Sequence, residues 1–407
     1  MFGLDRITAV VAAAGIATAL AARPGYAQAV DGSGDTRAAV IAAQQREKAR
    51  QTRPYEPGAV EGFVNKVDEY LSASEVNWHP YFGTAYAGAG PTLGAGYKFH
   101  TGDYDTLDVR GAMSVNKSKR AEIEYRLPRL LARRGALTML GGWSEGFGQN
   151  FFGVGTAATS VQDRTDFDFR RSYGAATLDV RPARGVLVFG TGVEFSRYEQ
   201  KGNSDSPFAA RYTPATLPGL GATVDYLQAH GTAAIDWRPA AGYARRGGYY
   251  GVTARNYRAS DGPFSFRHVD YDVVQHVPVL RDAWVLSVRG RAETTYTRGD
   301  NQVPFFMLPA LGNATTLRAF SSMRFRDRNS LLLSAEWRIL LSGFADAAFF
   351  YDAGKVTSRP SALDLKGLKS NYGFGLRLHT LAATPLRIDF ARGNEGFLVV
   401  FGSSAAF

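Results

Sequence analysis

Segment after segment of this chain alternates apolar with polar side chains, and the charges fall on the parity opposite the apolar set. Leu107, Val109, Met113 and Val115 alternate with Asp108, Arg110, Ser114 and Asn116. Leu227, Ala229, Ala233, Ile235 and Trp237 alternate with Gln228, His230, Thr232, Asp236 and Arg238. Trp284, Leu286 and Val288 alternate with Ser287, Arg289, Arg291 and Glu293, and Leu331 to Leu341 repeats the pattern around Glu336 and Arg338. The last eleven residues do the same, with Phe397, Val399, Phe401, Ala405 and the terminal Phe407 on one parity. A period of two means a strand with two different faces. Strands with an apolar face and an ionisable face suit a sheet that meets lipid on one side and water on the other. Only a rolled sheet satisfies its backbone there, so the pattern predicts an all-β, transmembrane antiparallel β-barrel.

Composition agrees with that class. The chain is 45% hydrophobic, yet no uninterrupted apolar run outside the N-terminus is long enough for a helical span. Glycine (45), phenylalanine (26) and tyrosine (20) are abundant, as expected where strands bend and aromatic girdles line both membrane interfaces. The absence of cysteine removes disulfide frameworks and thiolate metal sites. Residues 1–29 read as a secretory signal, with Arg6 near the start, an apolar stretch from Ile7 to Leu20, and a small-x-small cleavage site at Ala27-Gln28-Ala29. The formal charge of +10 belongs to an exported barrel with arginines in its bore and turns, not to a nucleic-acid binder. Residues 30–75 are expected to form a short helical periplasmic tail or plug. Asp35 caps a stretch with Ala38, Ile41 and Ala42 at helical spacing, Pro54 and Pro57 break it, and Val60, Phe63, Val64, Val67 and Leu71 share a second face.

The barrel is expected over residues 76–407, with about sixteen strands, an even number as single-chain bacterial barrels usually have. The connections differ in kind. Pro182–Gly185, Pro278–Arg281 and Ser342-Gly343 are short, whereas residues 199–222, 297–328 and 354–370 are long. Short turns belong to the periplasm and long loops to the outside, which puts both termini in the periplasm. In the first strand, Pro80 and several glycines weaken pairing.

The connection at residues 304–328 carries the most specific signal. It contains Leu317-Arg318-Ala319-Phe320. The strand after it holds Glu336-Trp337-Arg338, and the next holds Phe350-Tyr351-Asp352-Ala353-Gly354. Upstream lies Phe151-Phe152-Gly153-Val154-Gly155. In order and spacing this set resembles the Omp85 superfamily, the assembly and translocation barrels of BamA and TamA type. The resemblance covers the whole barrel. It departs from the family pattern at Gly312-Asn313, where the family has Gly-Gly, and at Ala319, where it has glycine. Residues 30–75 are too short for one periplasmic POTRA domain, so the resemblance is to a POTRA-less branch.

The resemblance implies a sixth extracellular loop folded back into the bore. Arg318 would meet Glu336 and Asp352, which share the inward parity of their strands, because a guanidinium fork matches carboxylate geometry. It implies assembly, insertion or translocation of client polypeptide or lipid at the outer membrane of a Gram-negative bacterium. Phe401 and Phe407 would be read by the barrel-assembly machinery during this chain's own insertion. Outer-membrane lipids and lipopolysaccharide are the expected surroundings. The competing reading is a passive channel, since Arg289, Arg291, Arg338, Arg377 and Arg387 all take inward parity and a free ring of them would favour anions. Glu293, Glu336 and Asp389 make a balanced ion-pair lattice the other outcome. No catalytic constellation assembles. His79, His100, His230, His268, His276 and His379 lack metal-ligand spacing, no serine stands in a nucleophile elbow, and no cofactor motif is present.

Overall fold

The computed structural model describes Gly62 and residues 77–407, apart from 84, 86–88, 91, 157–160, 183–184, 202–207 and 281–282. The expected signal peptide and nearly all of the helical tail lie outside the described residues. Eighteen strands follow in chain order: β1 (Trp78–Gly83), β2 (Thr92–His100), β3 (Thr106–Ser114), β4 (Lys119–Leu130), β5 (Gly135–Phe151), β6 (Thr165–Val180), β7 (Leu187–Lys201), β8 (Thr223–Asp236), β9 (Gly247–Ala259), β10 (Phe266–Leu280), β11 (Trp284–Thr297), β12 (Ala310–Leu311), β13 (Phe325–Arg326), β14 (Asn329–Ser342), β15 (Ala345–Thr357), β16 (Lys369–Leu378), β17 (Leu386–Gly393) and β18 (Gly396–Gly402). All but β12 and β13 form one sixteen-stranded antiparallel meander, each strand beside its neighbour in sequence. β12 and β13 pair only with each other, inside the connection between β11 and β14.

The meander is a barrel turned inside out relative to a water-soluble protein. Met113, Phe195, Leu227, Phe349 and Phe374 are exposed on its outer face, while Glu122, Glu336, Asp352, Arg377 and Asp389 are buried on its inner face. In water that outer surface would be a large apolar patch; against hydrocarbon it is the solvated side. Trp237 beside Tyr250, and Trp284 edge-on to Trp337, mark an aromatic belt at one rim. Long strands run through the middle of the sequence, up to 17 residues in β5. The strands at the two edges of the sheet are the shortest in the barrel, six residues in β1 and seven in β18.

Three expectations are corrected. The expected turn at Pro278–Arg281 is mostly strand: β10 runs to Leu280 with a register shift between Pro278 and Leu280. The alternation at the C-terminus does not continue to Phe407. β18 stops at Gly402, and the chain turns inward, so that the Phe407 ring stacks 6.5 Å from His276 on the inner wall while Phe401 stays exposed on the outer face. Charge also does not always face the bore. At one end of β6 to β10, Asp166, Asp168, Arg170, Arg197 and Asp225 point outward, and Phe167, Phe169, Tyr198, Tyr226 and Phe266 point in. Those strand ends extend past the apolar band, where the outer face meets water and the inner face meets loops.

Those loops fill the bore at that end. A helical turn at Phe208–Arg211, Leu217, and the short turn Phe305–Met307 before β12 pack on the inward aromatics in one buried cluster. Phe305 sits in edge contact with Phe151 and Phe167, with ring centroids 5.3 and 4.8 Å apart. Such contacts add about 0.5–1.5 kcal/mol each beyond area burial. At the opposite rim the β8–β9 connection reaches across the bore. The Tyr243 hydroxyl donates to Asp346 on β15 at 2.7 Å, and its ring stacks on His379 at 3.9 Å.

Candidate functional site

The connection from β11 to β14 folds back along the inner wall of β14 to β17. The β12–β13 pair forms its base, and the backbone then reverses at Gly312. Gly312 has φ +104°, a region that disfavours side chains, and an added Cβ would run into the carbonyl oxygen of Ser321. Asn313 follows. Its side-chain oxygen accepts from the Thr315 backbone N–H at 2.7 Å and from the Thr316 hydroxyl at 3.2 Å, so the asparagine closes the turn that a second glycine would otherwise only permit. Ala319 is not in the left-handed region, so its methyl group causes no backbone strain. It packs with Phe350 and Ala391.

Leu317 and Phe320 bury the apex in a second apolar cluster with Leu311, Phe325, Leu332 and Val356. Between them Arg318 points at the wall and is 2% exposed. Its Nε and Nη2 donate to the two oxygens of Asp352 at 2.9 and 3.0 Å, a bidentate fork. Its Nη1 donates to Glu336 at 3.0 Å and to Asp389 at 3.4 Å. Its Cζ lies 3.6 Å above the centre of the Phe350 ring.

Two wall arginines complete the lattice. Arg377 reaches Glu336 at 2.7 Å and Asp389 at 2.6 Å, and Arg387 reaches Asp389 at 3.1 Å. The Arg387–Asp389 contact is an ion pair at close range rather than an aligned hydrogen bond. Asn371 donates to Asp352 at 2.8 Å. Three guanidinium groups therefore face three carboxylates, all buried. Burial by itself would disfavour the charge on Arg318; the carboxylates of Asp352, Glu336 and Asp389 outweigh it and raise its pKa above the ordinary arginine value.

The local sequence shows why strand β15 can receive the loop. Phe350, Asp352 and Gly354 lie at a spacing of two and so share one face. Phe350 supplies the ring under the guanidinium and Asp352 the fork. A Cβ at Gly354 would stand 2.7 Å from the Leu331 carbonyl oxygen and 2.9 Å from a Leu311 methyl group, so only glycine leaves room for the base of the loop. The Phe151–Gly155 segment also meets this loop: the Gly155 N–H donates to the Arg326 carbonyl at 2.8 Å, and the Arg324 guanidinium lies over the Phe152 ring.

Leu317, Arg318, Ala319, Phe320, Glu336 and Asp352 thus meet in one place; Phe401 stands apart on the outer face, whereas Phe407, on the inner face, lines a small cavity with Glu336 and Arg377 of the lattice. Sequence reasoning assigned Asp389, Arg377 and Arg387 to the inner face without joining them to Arg318, and it missed Asn371. The signal for Asp389 was present, since it shares the inward parity of β17 with Arg387. Asn371 carried the same signal and no other, since it shares the inward parity of β16 with Arg377.

The other inward arginines of the barrel wall are largely paired too. Arg289 reaches Asp272 at 2.7 Å, Arg291 reaches Asp270 at 2.7 Å and Glu293 at 2.8 Å, and Arg110 reaches Glu122 at 2.8 Å. The bore wall is a balanced lattice there rather than a free cationic ring.

Comparison with known proteins agrees with this geometry. A search of curated proteins finds no match. Among solved structures, BamA from Haemophilus ducreyi lacking POTRA domains 1–3 superposes with a TM-score of 0.59 at 13% identity, covering 80% of this chain and 68% of that one. CdiB from Escherichia coli superposes with a TM-score of 0.52 at 13% identity, covering 80% of this chain and 59% of CdiB. At such identity these likenesses speak for the fold alone. The Omp85 superfamily domain matches residues 101–396, most of the barrel and the whole of the Arg318 lattice, and the chain belongs to the Omp85 superfamily.

Proposed function

We propose that this chain is a bacterial outer-membrane barrel that inserts, assembles or translocates client molecules, polypeptide in the first instance and lipid as the variant. The observation that carries the reading is the loop latched into the bore by Arg318. A bore-filling loop held by a buried lattice of ion pairs is a costly arrangement for a passive pore. Buried ion pairs are weak sources of stability but strong sources of position. The latch fixes the loop against β14 to β17, the strands leading to the short edge strand β18. Between six-residue β1 and seven-residue β18 a ladder would have few rungs, and Pro80 offers no donor in β1. Opening that seam would expose a sheet edge to which a client strand could pair.

Both termini are periplasmic in this reading, with the short turns at their rim and the long loops outside. Lipopolysaccharide and phospholipid surround the barrel. Phe401 and Phe407 act as the insertion signal while the chain is still unfolded, so Phe407 need not face lipid in the finished barrel. The experiment is crosslinking in living cells from photoreactive side chains placed in β1 and β18. Adducts with nascent outer-membrane polypeptides support the reading, and adducts with none of them contradict it.

The channel reading is tested by planar-bilayer conductance. The paired wall and the loops filling the bore favour sporadic small openings. A steady anion-selective current would return the channel to first place.

A further inference from the structure

Beneath the turn Phe305–Met307 lies a cavity of about 360 Å³, walled by β6, β7, β9, β10 and β11. We propose that it is a binding site for a small amphipathic carboxylate, one with an aromatic or acyl body. The inference stands apart from the translocation reading and does not need it.

The apolar walls are aromatic. Tyr257 and Phe266 stack with centroids 4.6 Å apart and planes 15° apart, and Tyr198 stacks with Phe306 at 5.9 Å. These rings present flat surfaces on which an apolar body can lie. The volume falls in the ordinary range of small-ligand sites, roughly 300–1,000 Å³.

The polar groups give the sign of the ligand. Arg171 is paired with Glu194, and Arg291 with Asp270 and Glu293. Arg255 also lines the cavity, and its guanidinium has no hydrogen bond or ion pair among the described residues. Its cross-strand neighbours are His230 and His268, neither of them an acid. A cation aimed into an aromatic cavity and lacking a carboxylate is a site for an anion. Inorganic anions would leave the rings uncovered, and neutral hydrophobes would leave Arg255 unanswered.

A metal ion is the rival occupant, since ligand atoms of His268, Asp270 and Glu293 lie within 4.8 Å of one another. Arg291 already donates to both carboxylates, and the Ser330 hydroxyl donates to Glu293 at 2.8 Å. A guanidinium holds the place that a metal would take. The roof of the cavity is Phe306 and Met307, which precede β12, so a bound carboxylate would brace the lead of the same loop that Arg318 latches.

The test uses the full chain in detergent and 3-phenylpropionate as probe, titrated by calorimetry. The neutral 3-phenylpropanol serves as the comparison. Saturable binding of the acid is expected, at least tenfold tighter than the alcohol. Arg255→Gln should remove that advantage and leave the alcohol unchanged. Arg258→Gln, on the outer face of the same strand, should bind as the parent does. If Arg255→Gln does not assemble, Met307→Trp fills the cavity from its roof and must abolish saturable binding of the acid. Absence of saturable binding to the parent chain overturns the proposal, and so does undiminished binding to either cavity variant.

Discussion

One loop is held at two points by opposite chemistry. Its lead, Phe305 and Phe306, sinks into an aromatic cluster against β6 to β10. Its apex, Arg318, is forked into carboxylates on β14, β15 and β17. Apolar burial is largely non-directional and tolerates other apolar shapes of similar volume, the ring edge contacts adding only a modest preference in geometry. The ion lattice is directional, and losing one member strands the rest in a dry place. The lead therefore supplies cohesion and the apex supplies register.

The largest separation of the two anchors should come from Arg318→Ala. It leaves Asp352, Glu336 and Asp389 short of one cation and is expected to cost about 3–5 kcal/mol. The measurement is the temperature at which the folded barrel loses its fast mobility on a cold gel, and an unchanged temperature breaks the comparison. Gly312→Ala comes next. It leaves the charges in place but forces a side chain into a left-handed turn against a carbonyl, at a cost of roughly 1–3 kcal/mol, read by the same assay. Phe305→Leu should cost about 1–3 kcal/mol, because the cluster repacks around an apolar side chain but loses the two edge contacts. A loss as great as that of Arg318→Ala would mean that the lead, too, is fixed by shape. The smallest effect should be Ala319→Gly. This restores the family residue where the backbone does not need it, and it should lower stability by no more than ~0.5–1 kcal/mol of chain entropy. A marked gain in stability or activity would show that alanine does strain the loop.

The contrast between anchors also explains what could be read in advance. Strand number, most strand boundaries and the inward faces of β14, β15 and β17 follow from a period-two pattern, because lipid and water sort every second side chain independently of the rest of the fold. Arg318, Glu336 and Asp352 were legible for that reason, together with a motif whose spacing reports one shared face. The aromatic anchor was not. Phe167, Phe169 and Phe266 alternate as cleanly as any lipid-facing set, and only the loops covering them reveal that they point inward. The turn at Gly402 was equally silent. Ala405 and Phe407 keep the alternation of a strand, but the contact with His276 that draws Phe407 inward comes from a strand more than a hundred residues away. Long-range contacts decide both cases, and periodicity does not contain them.

Arg318 holds the loop apex inside the bore. Because the chain has no cysteine, a single introduced thiol reports one position. The direct measurement is the labelling rate of Ala319→Cys by a membrane-impermeant thiol reagent, with Asp261→Cys on an exposed turn as reference. With Arg318 intact, Ala319→Cys should react far more slowly than Asp261→Cys, and adding Arg318→Ala should bring the two rates together. Equal rates with Arg318 intact would contradict the account.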